Sequence, residues 1–121
     1  MSTIRYRASI ETVGSAGVAV GSHTFSGVHG IFRKAVVNYN ASAPGTTVVA
    51  FTEQTGGVTE TFLTLTGNTD AVERPSVLLA DAVGADSAIR EQPYIEGDLI
   101  IDVTLSDALA SAVDIVVIVE E

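Results

Sequence analysis

Residues 45–68 read GTTVVAFTEQTGGVTETFLTLTGN, with two runs rich in Thr, Val, Phe and Leu on either side of Gly56-Gly57. β-branched and aromatic residues suit a pleated, half-buried surface. Two such runs joined by a short glycine-containing loop are the signature of a β-hairpin. The stretch holds no Cys, His, Lys or Arg. It therefore predicts scaffold, and it sets the expectation for the rest of the chain.

Strand signals continue outward from it. In GDLIIDVTLSD, residues 97–107, Leu99, Ile101, Val103 and Leu105 alternate with Ile100, Asp102, Thr104 and Ser106. Period-2 alternation predicts a half-buried antiparallel strand with Leu105 on the inner face. Near the end, Ile115–Val119 is five apolar residues in a row, which predicts a strand covered on both faces. Upstream, residues 33–40 form a short β-rich run that ends ahead of the Pro44-Gly45 turn. In residues 3–11, Ile4, Tyr6, Ala8 and Ile10 alternate with Arg5, Arg7, Ser9 and Glu11, which predicts a strand with one basic face. Glycines at 14, 17, 21, 27 and 30 predict short, hinged strands between them.

Other segments are less regular. Pro75 and Pro93 interrupt residues 68–97, where SVLLADAV fits a strand or one helical turn. Residues 106–113 predict a short helical turn with Ser106 as its N-cap. No run of ten residues reads as a helix, and no period repeats. Seven to nine short strands predict an all-β protein, an antiparallel β-sandwich or jelly roll. The expected organisation is a single β-domain over residues 13–121, preceded by an extended N-terminal docking arm over 1–12.

Composition bounds the function. A chain of 121 residues makes one domain and buries roughly two thirds of its unfolded surface. With no Cys, neither a disulfide framework nor a thiolate metal site is available. The start, MSTIRYRASIETVG, has no apolar h-region, so the expectation is synthesis in a cytoplasm without a signal peptide. A five-residue apolar run is far short of the roughly 20 residues of a membrane helix, and no membrane partner is expected. A net charge of −9 speaks against nucleic acid, which needs clustered Lys and Arg. The charge is uneven. Residues 1–40 hold Arg5, Arg7, Arg33 and Lys34 against Glu11 alone, and the other 14 acids lie beyond residue 40. Charged residues are 17% of the chain, against about 25% in an average domain. So little charge on a small protein predicts that part of its surface is an interface.

No reactive frame emerges, and the protein is expected not to be an enzyme. His23 and His29 are the only histidines, and GSAG at 14–17 lacks the G-x-S-x-G of a nucleophile elbow. Six apart, the two histidines would share a face of an unbroken strand, but a zinc site would need two carboxylates besides. An exposed or hydrogen-bonded pair is the plainer reading. Asp81, Asp86, Glu91, Glu96 and Asp98 supply oxygen ligands of the kind Ca²⁺ takes, without the spacing of a calcium loop. Acidic loops that keep the particle soluble account for them. No phosphate loop is present, and no cofactor is expected. Any two acids could converge as a glycosidase pair, but with no Trp the sequence offers little sugar platform. Among the aromatics, Tyr6 and Tyr94 lie beside charged residues or proline and are set apart as contacts, while Phe25, Phe32, Tyr39, Phe51 and Phe62 read as core. The candidate interface residues are Ile4, Arg5, Tyr6, Arg7, Arg33, Lys34 and Tyr94.

NASAPGTTVVAFTEQTGG, GNTDAVERPSVLLADAVGAD and PYIEGDLIIDVTLSDALASAVDIVVIV follow one another over roughly residues 36–119. In texture and phrase order they resemble the small, acidic, Cys-free β-proteins encoded among the virion structural genes of tailed bacteriophages, in the style of head decoration (cement) proteins. The resemblance implies a non-catalytic protein on the outer capsid surface of the virion. It would bind the major capsid protein, commonly as a homotrimer, and tie capsomers together. It also implies an N-terminal arm that adds a strand to the capsid sheet, for which residues 3–11 are the candidate. Two alternatives stand beside it. One is another virion part: tail tube, head–tail joining component or fibre base. The other is a β-sandwich module that binds carbohydrate or a host surface.

Overall fold

The computed structural model describes residues 2–80 and 82–121. Among them every regular element is a strand: β1 (Thr3–Thr12), β2 (Ala19–Tyr39), β3 (Val48–Thr55), β4 (Val58–Thr66), β5 (Ala71–Glu73), β6 (Val77–Ala80), β7 (Asp86–Glu91), β8 (Tyr94–Ser106) and β9 (Leu109–Glu120). The protein is all-β and antiparallel, as the sequence predicts. The main sheet runs β1-β9-β2-β8-β3-β4, with β5 also on β2, and β6 and β7 form a separate two-stranded ribbon.

β2 gives the sheet its shape. Its first half pairs with β8 and its second half with β9, and Ile31 faces both Tyr94 and Glu120 at the changeover. One layer is thus β1, β9 and the end of β2. The other is the start of β2 with β8, β3 and β4. Their inward residues meet in a sandwich-like core that includes Ile10, Val28, Phe32, Val37, Val49, Phe51, Leu99, Ile101, Val103, Ile115, Val117 and Val119, all buried. Phe32 joins the layers edge-to-face, with its ring 6.0 Å from Phe51 and 5.0 Å from Phe62.

Two bulges let β2 turn. Between Phe25 and Val28 it advances three residues while β8 advances two, from Leu99 to Gly97. Gly27 holds the bulge at φ +66, a conformation open to glycine at little cost. Between Phe32 and Lys34 it advances two while β9 advances one. Gly30 sits just before the changeover, where a Cβ would lie 2.5 Å from the Glu120 carbonyl oxygen. The expectation of short, hinged strands is corrected accordingly. Gly14 and Gly17 lie in the turn between β1 and β2, but Gly21, Gly27 and Gly30 fall inside one 21-residue strand and do not end it.

The bulges correct two further readings. The extra residue before Val28 breaks the face shared by His23 and His29. His23 pairs with inward Ile101 and stacks edge-on against Phe25 at 4.5 Å, while His29 is exposed and pairs with Glu96. On β8, three residues separate Val103 from Ser106, opposite two on β2. There Leu105 takes φ +53 and turns outward, 46% exposed, and Ser106 takes the buried place. The helical turn expected at 106–113 is instead the end of β8, a tight connection and the start of β9. Ser106 is satisfied there by the Thr47 hydroxyl at 3.4 Å.

The hairpin at Gly56-Gly57 forms as expected, with Thr55 opposite Val58. The undecided SVLLADAV stretch supplies strand β6, and its Asp81 lies outside the described residues. The N-terminal stretch is the edge strand of the sheet. It pairs with β9 from Thr3–Glu120 to Ile10–Val113, so the expected extended arm is not what the structure displays.

Candidate docking face

The outward side chains of β1, β9 and β2 fall in rows across three strands. Arg5 lies opposite Ile118, which lies opposite Lys34. In the next row Arg7 lies opposite Val116, which lies opposite Val36, itself opposite Val72 of β5. Strands are spaced about 4.8 Å apart, and alternate residues along a strand by about 7 Å. Arg5, Arg7 and Lys34 therefore stand at the corners of a triangle with sides of about 7 to 12 Å. Val36, Val116 and Ile118 form its half-buried floor, and the six residues line a shallow hollow of about 160 Å³.

Rows of acids flank the triangle, and each is already engaged. Asp114 accepts hydrogen bonds from the Ser9 and Ser111 hydroxyls. Glu120 accepts from Arg33, whose guanidinium also donates to Gln92. No acid among the described residues lies within ion-pair distance of Arg5, Arg7 or Lys34. Three cations of like sign, mounted on rigid strands and left unneutralised, repel one another. An anionic partner relieves that repulsion, and carboxylates match the guanidinium fork of each arginine.

The structure sorts the seven candidate interface residues. Arg5, Arg7 and Lys34 come together on this face. Arg33 is beside them but neutralised by Glu120. Ile4 and Tyr6 point the other way: their partners on β9 are buried Val119 and Val117, and the Tyr6 ring packs 5.2 Å from Phe25. Tyr94 stands at the rim, 57% exposed, lining a second hollow with Ile31, Arg33, Glu91 and Gln92. Sequence reading did not join the apolar floor to the basic residues. Its signal was present in the run at 115–119, whose alternate members Val116 and Ile118 turn outward. The acidic run beyond residue 80 forms no metal-binding cluster of three or more ligands among the described residues.

One titratable group departs from its ordinary behaviour. Burial of Tyr39, with a smaller push from the Asp70 carboxylate, raises its phenol above the usual tyrosine range. Asp70 also accepts a hydrogen bond from the Tyr39 amide at 2.8 Å, which ties the end of β2 to the approach to β5.

No protein-family model, no curated protein and no solved structure matches this chain.

Proposed function

We propose that the protein is a non-catalytic structural component of a tailed-phage virion, a decoration protein that stabilises the shell from its outer surface. The observation that carries the reading is the basic face: three cations without an ion-pair partner among the described residues, around an apolar floor, on a chain of net charge −9. Such a face is built for an acidic protein surface, since cations give orientation and rate while buried apolar area gives affinity. The resemblance in residues 36–119 supports the virion setting. A stiff antiparallel scaffold suits a part that must carry load and react with nothing. Symmetric repetition on a shell would let individually weak contacts act together.

The test uses heads assembled without the protein. Added in excess, the protein should cosediment with them to saturation at a fixed ratio to the major capsid protein, and the heads should then resist heat better. The triple variant R5E/R7E/K34E should lose most of this binding while keeping its β-sheet circular dichroism. Gold-labelled antibody found on tails, with heads bare, would move the assignment to a tail component. Protein absent from both would end the virion reading.

A further inference from the structure

The β6–β7 ribbon is an anomaly in this molecule. Its strands pair only with each other, and none of its residues belongs to the core. An isolated two-stranded ribbon is marginal at best in water. This one nevertheless exposes large aliphatic side chains: Leu78 is 40% and Ile89 63% accessible. Its charge is acidic, with Asp86 and Glu91 both exposed. The only cation between residues 77 and 91 is Arg90, and its guanidinium is turned back to the base of the ribbon, donating to the Ser76 hydroxyl at 2.9 Å and the Ser76 carbonyl at 3.0 Å.

We propose that this ribbon docks on the basic face of a second copy of the same chain. The inference rests on the reading of that face as an assembly contact and takes a neighbouring copy on the shell as its occupant, so that R5E/R7E/K34E would lose head binding by losing the copy-to-copy contacts. The two surfaces match in both respects that matter. The register puts Leu78 with Asp86 on one face of the ribbon and Ile89 with Glu91 on the other, so either face sets an aliphatic side chain and a carboxylate against an aliphatic floor flanked by Arg5, Arg7 and Lys34. The other acidic surface, around Asp98 and Asp102, is the flat outer side of β8. A contact between two different surfaces of one chain is heterologous, so copies joined this way close into a ring when the rotation between them permits. Docking would also supply the cover that the ribbon lacks within its own chain.

Light scattering on the full chain, across protein concentration and at low salt and about 0.5 M salt, reads the association. The wild type should associate, and more weakly at high salt. R7E/K34E on the face and D86K/E91K on the ribbon should each weaken association on the order of tenfold or more. The chain carrying all four changes should recover it, because the charges are then exchanged in place. L78S/I89S should weaken association without altering its salt dependence. A wild type that stays monomeric at every concentration overturns the proposal. So does a ribbon variant that associates as well as wild type, or a face variant rescued by D98K/D102K instead. These outcomes are separable from the proposed function. A monomer that still saturates heads sinks the ribbon contact and spares the shell-binding reading. A ring that ignores heads does the reverse.

Discussion

The two outer faces of this protein are made by the same rule and end with opposite chemistry. On β1, β9 and β2 the outward rows carry Arg5, Arg7 and Lys34 over Val36, Val116 and Ile118. On the other layer the outward rows are Ser22, Asp102 and Ala50, then Thr24, Ile100 and Thr52. Acids and hydroxyls stand there, and no cation. The inner faces of the two layers are alike, filled with Val, Ile, Leu and Phe. Alternation decides only that one side of each strand is apolar. What the free side carries costs the fold little, so it is open to differ by function.

That contrast can be broken or sharpened by substitution. The largest effect should come from the inner side that both layers share. Phe32→Ala removes a fully buried ring that touches Phe51 and Phe62 from across the core, and should cost about 3–5 kcal/mol in chemical denaturation. Next comes the corner where one layer becomes the other. Gly30→Ala places a methyl 2.5 Å from the Glu120 carbonyl oxygen at φ +142, and should cost about 3 kcal/mol by the same measurement. If Gly30→Ala is silent, the layers do not depend on that close approach. Outer-face changes should be much smaller. Arg7→Glu and Asp102→Lys should each move folding stability by no more than about 0.5 kcal/mol, although they invert the charge of opposite faces. A large loss from either would mean that its face is structural.

Leu105→Gly should raise stability by about 0.5–1 kcal/mol, because glycine accepts φ +53 without strain and the side chain lost is partly exposed. The smallest effect is a change in the slope of stability with pH, seen only in alkaline solution. Because the Tyr39 phenol is raised in the folded state, its contribution is fully present below the unfolded value near 10 and is lost as pH rises through the higher folded value. Alkaline titration of stability should therefore steepen above about pH 10 in the wild type and less so in Tyr39→Phe.

Much of this architecture is legible in the chain, and several of the misreadings share one cause. The hairpin at Gly56-Gly57, the inward set Leu99, Ile101 and Val103, and the basic side of residues 3–11 all follow from local pattern. Leu105, the two histidines and the helical turn at 106–113 were misjudged where a bulge adds a residue. One extra residue reverses every face beyond it. The basic face was half legible. Its cations stand out in an acidic chain, but their neutral or free state depends on partners far away in sequence.

Taken alone, the sequence determined the class of fold and the composition of its surfaces. Strand propensity and period-2 alternation act between neighbouring residues, and so do glycine turns. A chain dominated by them is committed to antiparallel sheet whatever its final topology. Only the tertiary structure decided where the sheet turns, because a bulge is tolerated where two layers must close around one core. It alone separated Arg33, held by Glu120 from the far end of the chain, from Arg5, Arg7 and Lys34, which have no such partner among the described residues. It also left the β6–β7 ribbon outside the core. Charge pairing and burial are properties of distance in space, and sequence spacing does not contain them.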